Sequence, residues 1–206
     1  IVERNYFNSA LASTMQAQVI GGTCTIRNNL FEIDKGTVAI LVSAQSNIDN
    51  GSPSDTRIYN NTCYKKTLNT FGSGDGFSFI VISTETNFDP GYSAPTAITG
   101  LDIRNNLAYA PNDTKNWNQS NGGAGADFIT IAGITPSYRA ASSNNSSNTQ
   151  VRTVRPWAAT TPATYADFAP ASGSYAKDGG STDVWVFEDF LRAAITGTRD
   201  IGAVQA

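Results

Sequence analysis

The chain has 206 residues, a formal net charge of −3 and only 15% charged side chains, with Lys and Arg scattered, which excludes the clustered positive face that nucleic acid requires. Histidine is absent, so Ser-His-Asp and Cys-His nucleophilic sites, His-ligated zinc and His general bases are excluded, leaving carboxylate, Lys, Arg, Tyr and Asn chemistry. The length suits one domain, and no apolar run approaches the roughly 18 residues of a spanning helix, so no membrane insertion is expected.

At the start of the chain no charged segment followed by an apolar stretch precedes the first coil, so no signal peptide is visible at Ile1. The sequence is expected to be a mature form, a proteolytic product or a chain whose upstream part is missing. "VERNYF" from Val2, "IRNNLF" from Ile26, "IYNNTC" from Ile58 and "IRNNLA" from Ile103 share one frame: apolar, outward polar or aromatic, Arg or Asn, Asn, then a variable residue that is usually apolar. The recurring asparagines Asn5, Asn29, Asn61 and Asn106 are unequally spaced, which suits a solenoid with loops of varying size better than a globular duplication. Each second asparagine is expected to turn a corner at positive φ and to stack, about 4.8 Å from its neighbours, into a hydrogen-bonded ladder.

Three short β-branched or aromatic runs follow glycines: "TVAILVS" at 37–43, "FSFIVIS" at 77–83 and "DFITIAG" at 127–133. The first two are apolar at nearly every position, as strands covered on both faces would be. Sustained helical periodicity is missing. The long polar stretches after Asn61 and Asn106 read as projecting loops, and "SSNNSSNT" at 142–149 as a flexible loop tip. Cys24 and Cys63 allow one disulfide or two packed thiols.

These frames resemble right-handed parallel β-helix proteins, whose coils carry similar Asn corners. Residues 161–206 look like the end segment of secreted bacterial members, with "ASGSYAKDGG", "EDFLRAA" and "RDIGAVQ" taking the places of the family's closing motifs. Leu191 and Arg192 depart from the usual Gly-containing turn, and "VQA" from the usual aromatic-acidic ending. The resemblance implies an all-β right-handed parallel β-helix with Asn-ladder corners. Coils with loop insertions would occupy 1–160, and a capping segment of the same domain 161–206. It implies an extracellular, cell-surface or virion setting and says little about activity, because the fold hosts lyases, hydrolases, adhesins and tailspikes.

The second position of the frame reads Glu3, Arg27, Tyr59, Arg104. Arg27 and Arg104 could hold carboxylates and Tyr59 stack on a sugar ring. The same column also reads as a solvated one in which Glu3 pairs with Arg27 for about 0.5 kcal/mol. Aromatics among polar residues, Tyr64, Phe71, Tyr92, Trp117 and Tyr138, suit either sugar stacking or anchoring of their own loops. Asp75, Glu85, Asp89 and Asp113 sit in turn sequences and read as turn formers. No cofactor is expected; "DNGSPSD" at 49–55 spaces oxygen ligands as calcium would need but lacks the full loop pattern.

The expectation for function is a structural or glycan-binding module of a secreted bacterial protein or phage virion, with a polysaccharide or cell-surface glycan as ligand. Two alternatives stand beside it: a polysaccharide lyase or glycoside hydrolase, and a purely structural virion protein. A homotrimer, or a partner chain covering the N-terminal end, is expected because an open strand edge invites association.

Overall fold

The computed structural model describes residues 1–9, 15–34, 37–44, 52–66, 76–84, 97–112, 127–139, 143–182, 184 and 186–206. The described chain is all-β apart from one short helix and a 3-10 turn. Its short strands form three parallel sheets, ordered β1-β4-β7-β10-β13, β2-β5-β8-β11 and β3-β6-β9-β12. Each passage of the chain adds one strand to each sheet. The first level comprises β1 (Val2–Glu3), β2 (Tyr6–Ser9) and β3 (Met15–Val19). The second comprises β4 (Thr25–Arg27), β5 (Leu30–Ile33) and β6 (Val38–Ala44), and the third β7 (Arg57–Tyr59), β8 (Thr62–Lys65) and β9 (Ser78–Thr84). The fourth comprises β10 (Ala97–Arg104), β11 (Leu107–Tyr109) and β12 (Asp127–Ala132), and β13 (Thr135–Tyr138) opens a fifth.

The apolar position of the repeated frame builds the interior. Val2, Ile26, Ile58 and Ile103 lie in register on neighbouring strands and pack into one core. Phe7, Phe31, Cys63 and Ala108 form a second in-register column in the same core, with the Phe7 and Phe31 rings stacked at 4.7 Å. All of β6 is buried, as its continuous apolar run requires. Both cysteines are free thiols, Cys63 buried in this column and Cys24 half-buried.

The two asparagines of each pair divide the corner between them, which corrects the expectation that the second one turns it. Positive φ belongs to the first residue: Asn28 at 53°, Asn60 at 50° and Asn105 at 58°, with Arg4 at 55° in the first level. Asn tolerates this left-handed conformation, which costs an ordinary L-residue roughly 1–2 kcal/mol. The second asparagine keeps its side chain inside the stack. Nδ2 of Asn5 donates to Oδ1 of Asn29 at 3.1 Å, Asn29 to Asn61 at 2.9 Å, Asn61 to Asn106 at 2.9 Å and Asn106 to Asn145 at 3.0 Å. The backbone N–H of each donor residue reaches the same oxygen, so every ladder carbonyl from Asn29 to Asn145 accepts twice.

The ladder's last member overturns the expectation of a flexible tip at 142–149. Ser143 bridges to Arg104, Asn144 takes the corner with φ 53° and Asn145 the ladder position. The chain then enters α1 (Asn148–Thr153), whose N-terminus is closed by a capping box between Ser147 and Gln150. This helix packs on β11 and β12, the last strands of their sheets. Val151 enters the main core, its carbonyl accepts from Ala110 N–H at 2.8 Å, and Arg152 pairs with Asp127 at 2.5 Å.

The described residues of 155–206 lie along the outside of the stack as a strap with little regular structure. The left-handed asparagines hold it: Asn144 Nδ2 donates to the Gly179 carbonyl at 2.7 Å, Asn105 to Ser181 at 2.9 Å and Asn28 to Glu188 at 2.6 Å. Beneath the strap a second core forms on the outer face of the second sheet. There Trp157 meets Tyr64, Tyr109 and Phe168 edge-on, at centroid distances of 5.4, 5.8 and 5.1 Å.

Candidate functional site

The column Glu3, Arg27, Tyr59, Arg104 exists, since these residues are in register on β1, β4, β7 and β10. Its hydrogen-bonding capacity is directed inward. Arg27 Nε meets Glu3 Oε2 at 2.5 Å. Arg104 forks onto Asp102, with Nε to Oδ1 and Nη2 to Oδ2 both at 2.6 Å, and lies 5.4 Å from the centroid of the Tyr59 ring. Tyr59 donates to Asp102 Oδ2 at 2.5 Å, and its ring, 6% exposed, is covered by Val184 and Val186 of the strap. The two arginines therefore hold carboxylates of the protein itself, and Tyr59 offers no open face. Desolvation and its bond to Asp102 raise the Tyr59 phenol, while Arg104 is raised chiefly by its own hydrogen bonds to Asp102.

Tyr92 and Trp117 lie outside the described residues, as do Phe71, Asp75, Glu85, Asp89 and Asp113. Tyr64 belongs to β8 and is buried in the second core, and Tyr138, on β13, is exposed at 37% and stands apart from both cores. Of "DNGSPSD", the described Asp55 engages Arg139 through its carboxylate. Among the described residues no three His, Cys, Asp or Glu side chains gather as a metal site would require.

The arrangement with most chemistry lies elsewhere, on the outer face of the second sheet. Alternation along β2, β5 and β8 places Tyr6, Asn8, Glu32 and Tyr64 on that face, with Asn8, Glu32 and Tyr64 in register. Lys66 extends the same alternation one step beyond β8, anchored by its N–H to the Ile33 carbonyl at 2.9 Å. The strap's 3-10 turn, Tyr165–Phe168, arches over this face and encloses an open groove of about 510 Å³ between Tyr6, Glu32 and Lys66 on one wall and Pro162, Thr164 and Tyr165 on the other. Such a volume falls within the roughly 300–1,000 Å³ of small-molecule sites.

Glu32, 8% exposed, is the centre of the polar wall. One carboxylate oxygen accepts from the Tyr6 hydroxyl and the other pairs with Lys66 Nζ. Asn8 Nδ2 donates to the Tyr6 oxygen at 2.9 Å and fixes its direction. Burial, followed by the hydrogen bond and charge of Glu32, pushes the Tyr6 phenol up to about 12, so it remains a donor at neutral pH. Tyr165, 44% exposed, leans on Tyr6 with centroids 5.1 Å apart and meets Phe190 edge-on at 5.2 Å. The groove thus sets a supported, half-open aromatic ring beside a hydroxyl, a carboxylate and an ammonium.

Sequence reasoning passed over Glu32 and Lys66. Glu32 sits inside "LFEI", where apolar neighbours make it look like a strand interruption, and Lys66 precedes a polar stretch. The available signal was the period-2 alternation of Tyr6, Asn8, Glu32, Tyr64 and Lys66 once the frames are aligned. No protein-family model, no curated protein and no solved structure matches the chain, so the groove is characterised by its own geometry alone.

Proposed function

We propose that the chain is a right-handed parallel β-helix serving as a surface-exposed glycan-binding module of a secreted bacterial protein or a phage virion, with the groove under the strap as its ligand site. The observation that carries this is Tyr165 beside the Tyr6, Glu32 and Lys66 cluster. A sugar ring presents C–H groups on its face and hydroxyls on its rim, and an aromatic ring flanked by fixed donors and acceptors complements both. The low charged fraction and a composition rich in neutral polar residues accord with an extracellular setting.

Glycan-array screening followed by calorimetry tests the proposal. Binding that falls at least tenfold in Tyr165→Ala supports it; absence of binding, or binding indifferent to Tyr165, removes the groove as the site. Release of unsaturated or reducing ends from a bound polymer would make the module an enzyme instead.

A further inference from the structure

Building on the glycan-binding reading, we infer that the groove selects an uncharged sugar bearing two neighbouring hydroxyls, held edge-on between Lys66 and Glu32 and face-on by Tyr165, and discriminates against uronates.

The charges decide the class. Lys66 is the cation of the polar wall, and Glu32 already engages it. A ligand carboxylate would draw Lys66 away from Glu32 and leave a buried carboxylate without its counter-ion. A neutral diol causes none of this. One hydroxyl donates to Glu32, whose oxygens retain lone pairs beyond those used by Tyr6 and Lys66, and the neighbouring hydroxyl accepts from Lys66, which keeps further N–H donors. Tyr6 holds Glu32 in place during the exchange, and Asn8 holds Tyr6.

Selectivity also has a geometric source. Glu32 on β5 and Lys66, one step beyond β8 and diagonal to it on the same face, are joined as an ion pair, so the donor and acceptor they offer are held close to each other and across the groove from the ring of Tyr165. A single hydroxyl uses half of this arrangement, while a neighbouring pair uses both halves.

Calorimetry on the full chain with neutral oligosaccharides (manno-, galacto- and gluco-configured) and with oligogalacturonate and oligomannuronate, at low and moderate salt, separates the possibilities. The expected result is binding of a neutral series with uronates about tenfold weaker or more. In Glu32→Gln, which keeps shape and removes charge, neutral affinity falls about tenfold and the uronate deficit shrinks, because Lys66 is released. Far-ultraviolet circular dichroism confirms that the variant folds. Uronates bound as tightly as neutral sugars, or discrimination unchanged in Glu32→Gln, overturns the inference while leaving glycan binding intact. Failure of both classes to bind removes the glycan reading itself and the inference with it.

Discussion

Asn105 and Ser181, 76 residues apart, exchange two hydrogen bonds: Asn105 Nδ2 donates to the Ser181 carbonyl at 2.9 Å, and Ser181 N–H donates to Asn105 Oδ1 at 2.7 Å. One buried side chain thus imitates a strand partner for the strap while its backbone turns the corner at φ 58°. Replacing it separates the two roles. Asn105→Gly keeps the corner and loses the strap bonds, and is expected to cost about 1–3 kcal/mol in urea unfolding. Asn105→Ala adds the left-handed strain and is expected to cost about 1 kcal/mol more. Equal losses in the two variants would show that the strap bonds are the whole contribution.

The ladder predicts a positional gradient. Asn61 is fully buried and bonded to the rungs before and after it, so Asn61→Ala leaves unpaired partners on both sides and is expected to cost about 2–4 kcal/mol. Asn5 is exposed and joined to one rung, so Asn5→Ala is expected to cost roughly 1 kcal/mol or less. Urea midpoints of the two variants measure the difference.

Trp157 fills the second core at 2% exposure, yet its indole N–H finds no hydrogen-bond partner among the described residues. Its contribution is therefore volume and ring contact with Tyr64, Tyr109 and Phe168. Trp157→Ala is expected to cost about 3–5 kcal/mol and to loosen the strap, made visible by faster proteolysis within 155–206. Trp157→Phe removes the unpaired donor along with some volume and is expected to cost less than half as much.

Gly202 has φ 113°, and a Cβ there would lie 2.7 Å from Thr62 Oγ1 and 3.1 Å from Leu107. Its N–H donates to the Asn105 carbonyl at 2.8 Å, so the close approach seats the end of the strap on the stack. Gly202→Ala is expected to destabilise by about 2 kcal/mol or more, from strained backbone and displaced neighbours together, measured by thermal unfolding.

Alkaline titration provides a further check. Tyr6 and Tyr175 are both raised from 10.0 to about 12, burial being the leading cause in each. Below pH 10 both phenols are protonated whether the chain is folded or not, and their contribution to stability is complete. Between 10 and 12 the unfolded chain releases protons that the folded chain keeps, so stability falls as pH rises through that window. Tyrosinate absorbance during urea unfolding should show the loss, and Tyr175→Phe should reduce it.

The framework of sheets was legible because one apolar residue, one corner and one rung recur as "IRNNL" or its variants, and the strand runs at 37–43, 77–83 and 127–133 fall on β6, β9 and β12. The fifth corner, Asn144 and Asn145, escaped notice because serine stands at both of the frame's usual apolar places, 142 and 146. Ser146 turns its hydroxyl to the Ala108 N–H and to Tyr175 at the place where the second and fourth levels have Leu30 and Leu107. The assignment of the corner to the wrong asparagine has a similar origin, since sequence shows two adjacent asparagines but not which of them leaves the stack. The groove was illegible because Tyr6, Glu32 and Lys66 meet only after three levels stack, and its other wall comes from a strap whose aromatic residues follow no period.

The rung-to-rung amide bonds measure 3.1, 2.9, 2.9 and 3.0 Å although 24, 32, 45 and 39 residues separate the successive asparagines. Distance along the chain is thereby decoupled from height in the stack. Each rung works as a gauge block that resets the register whatever length of chain has gone by, and loop closure grows only logarithmically more costly with length. Residues can be added or removed between rungs without moving the next one, so the molecule can change what it displays while keeping how it is held.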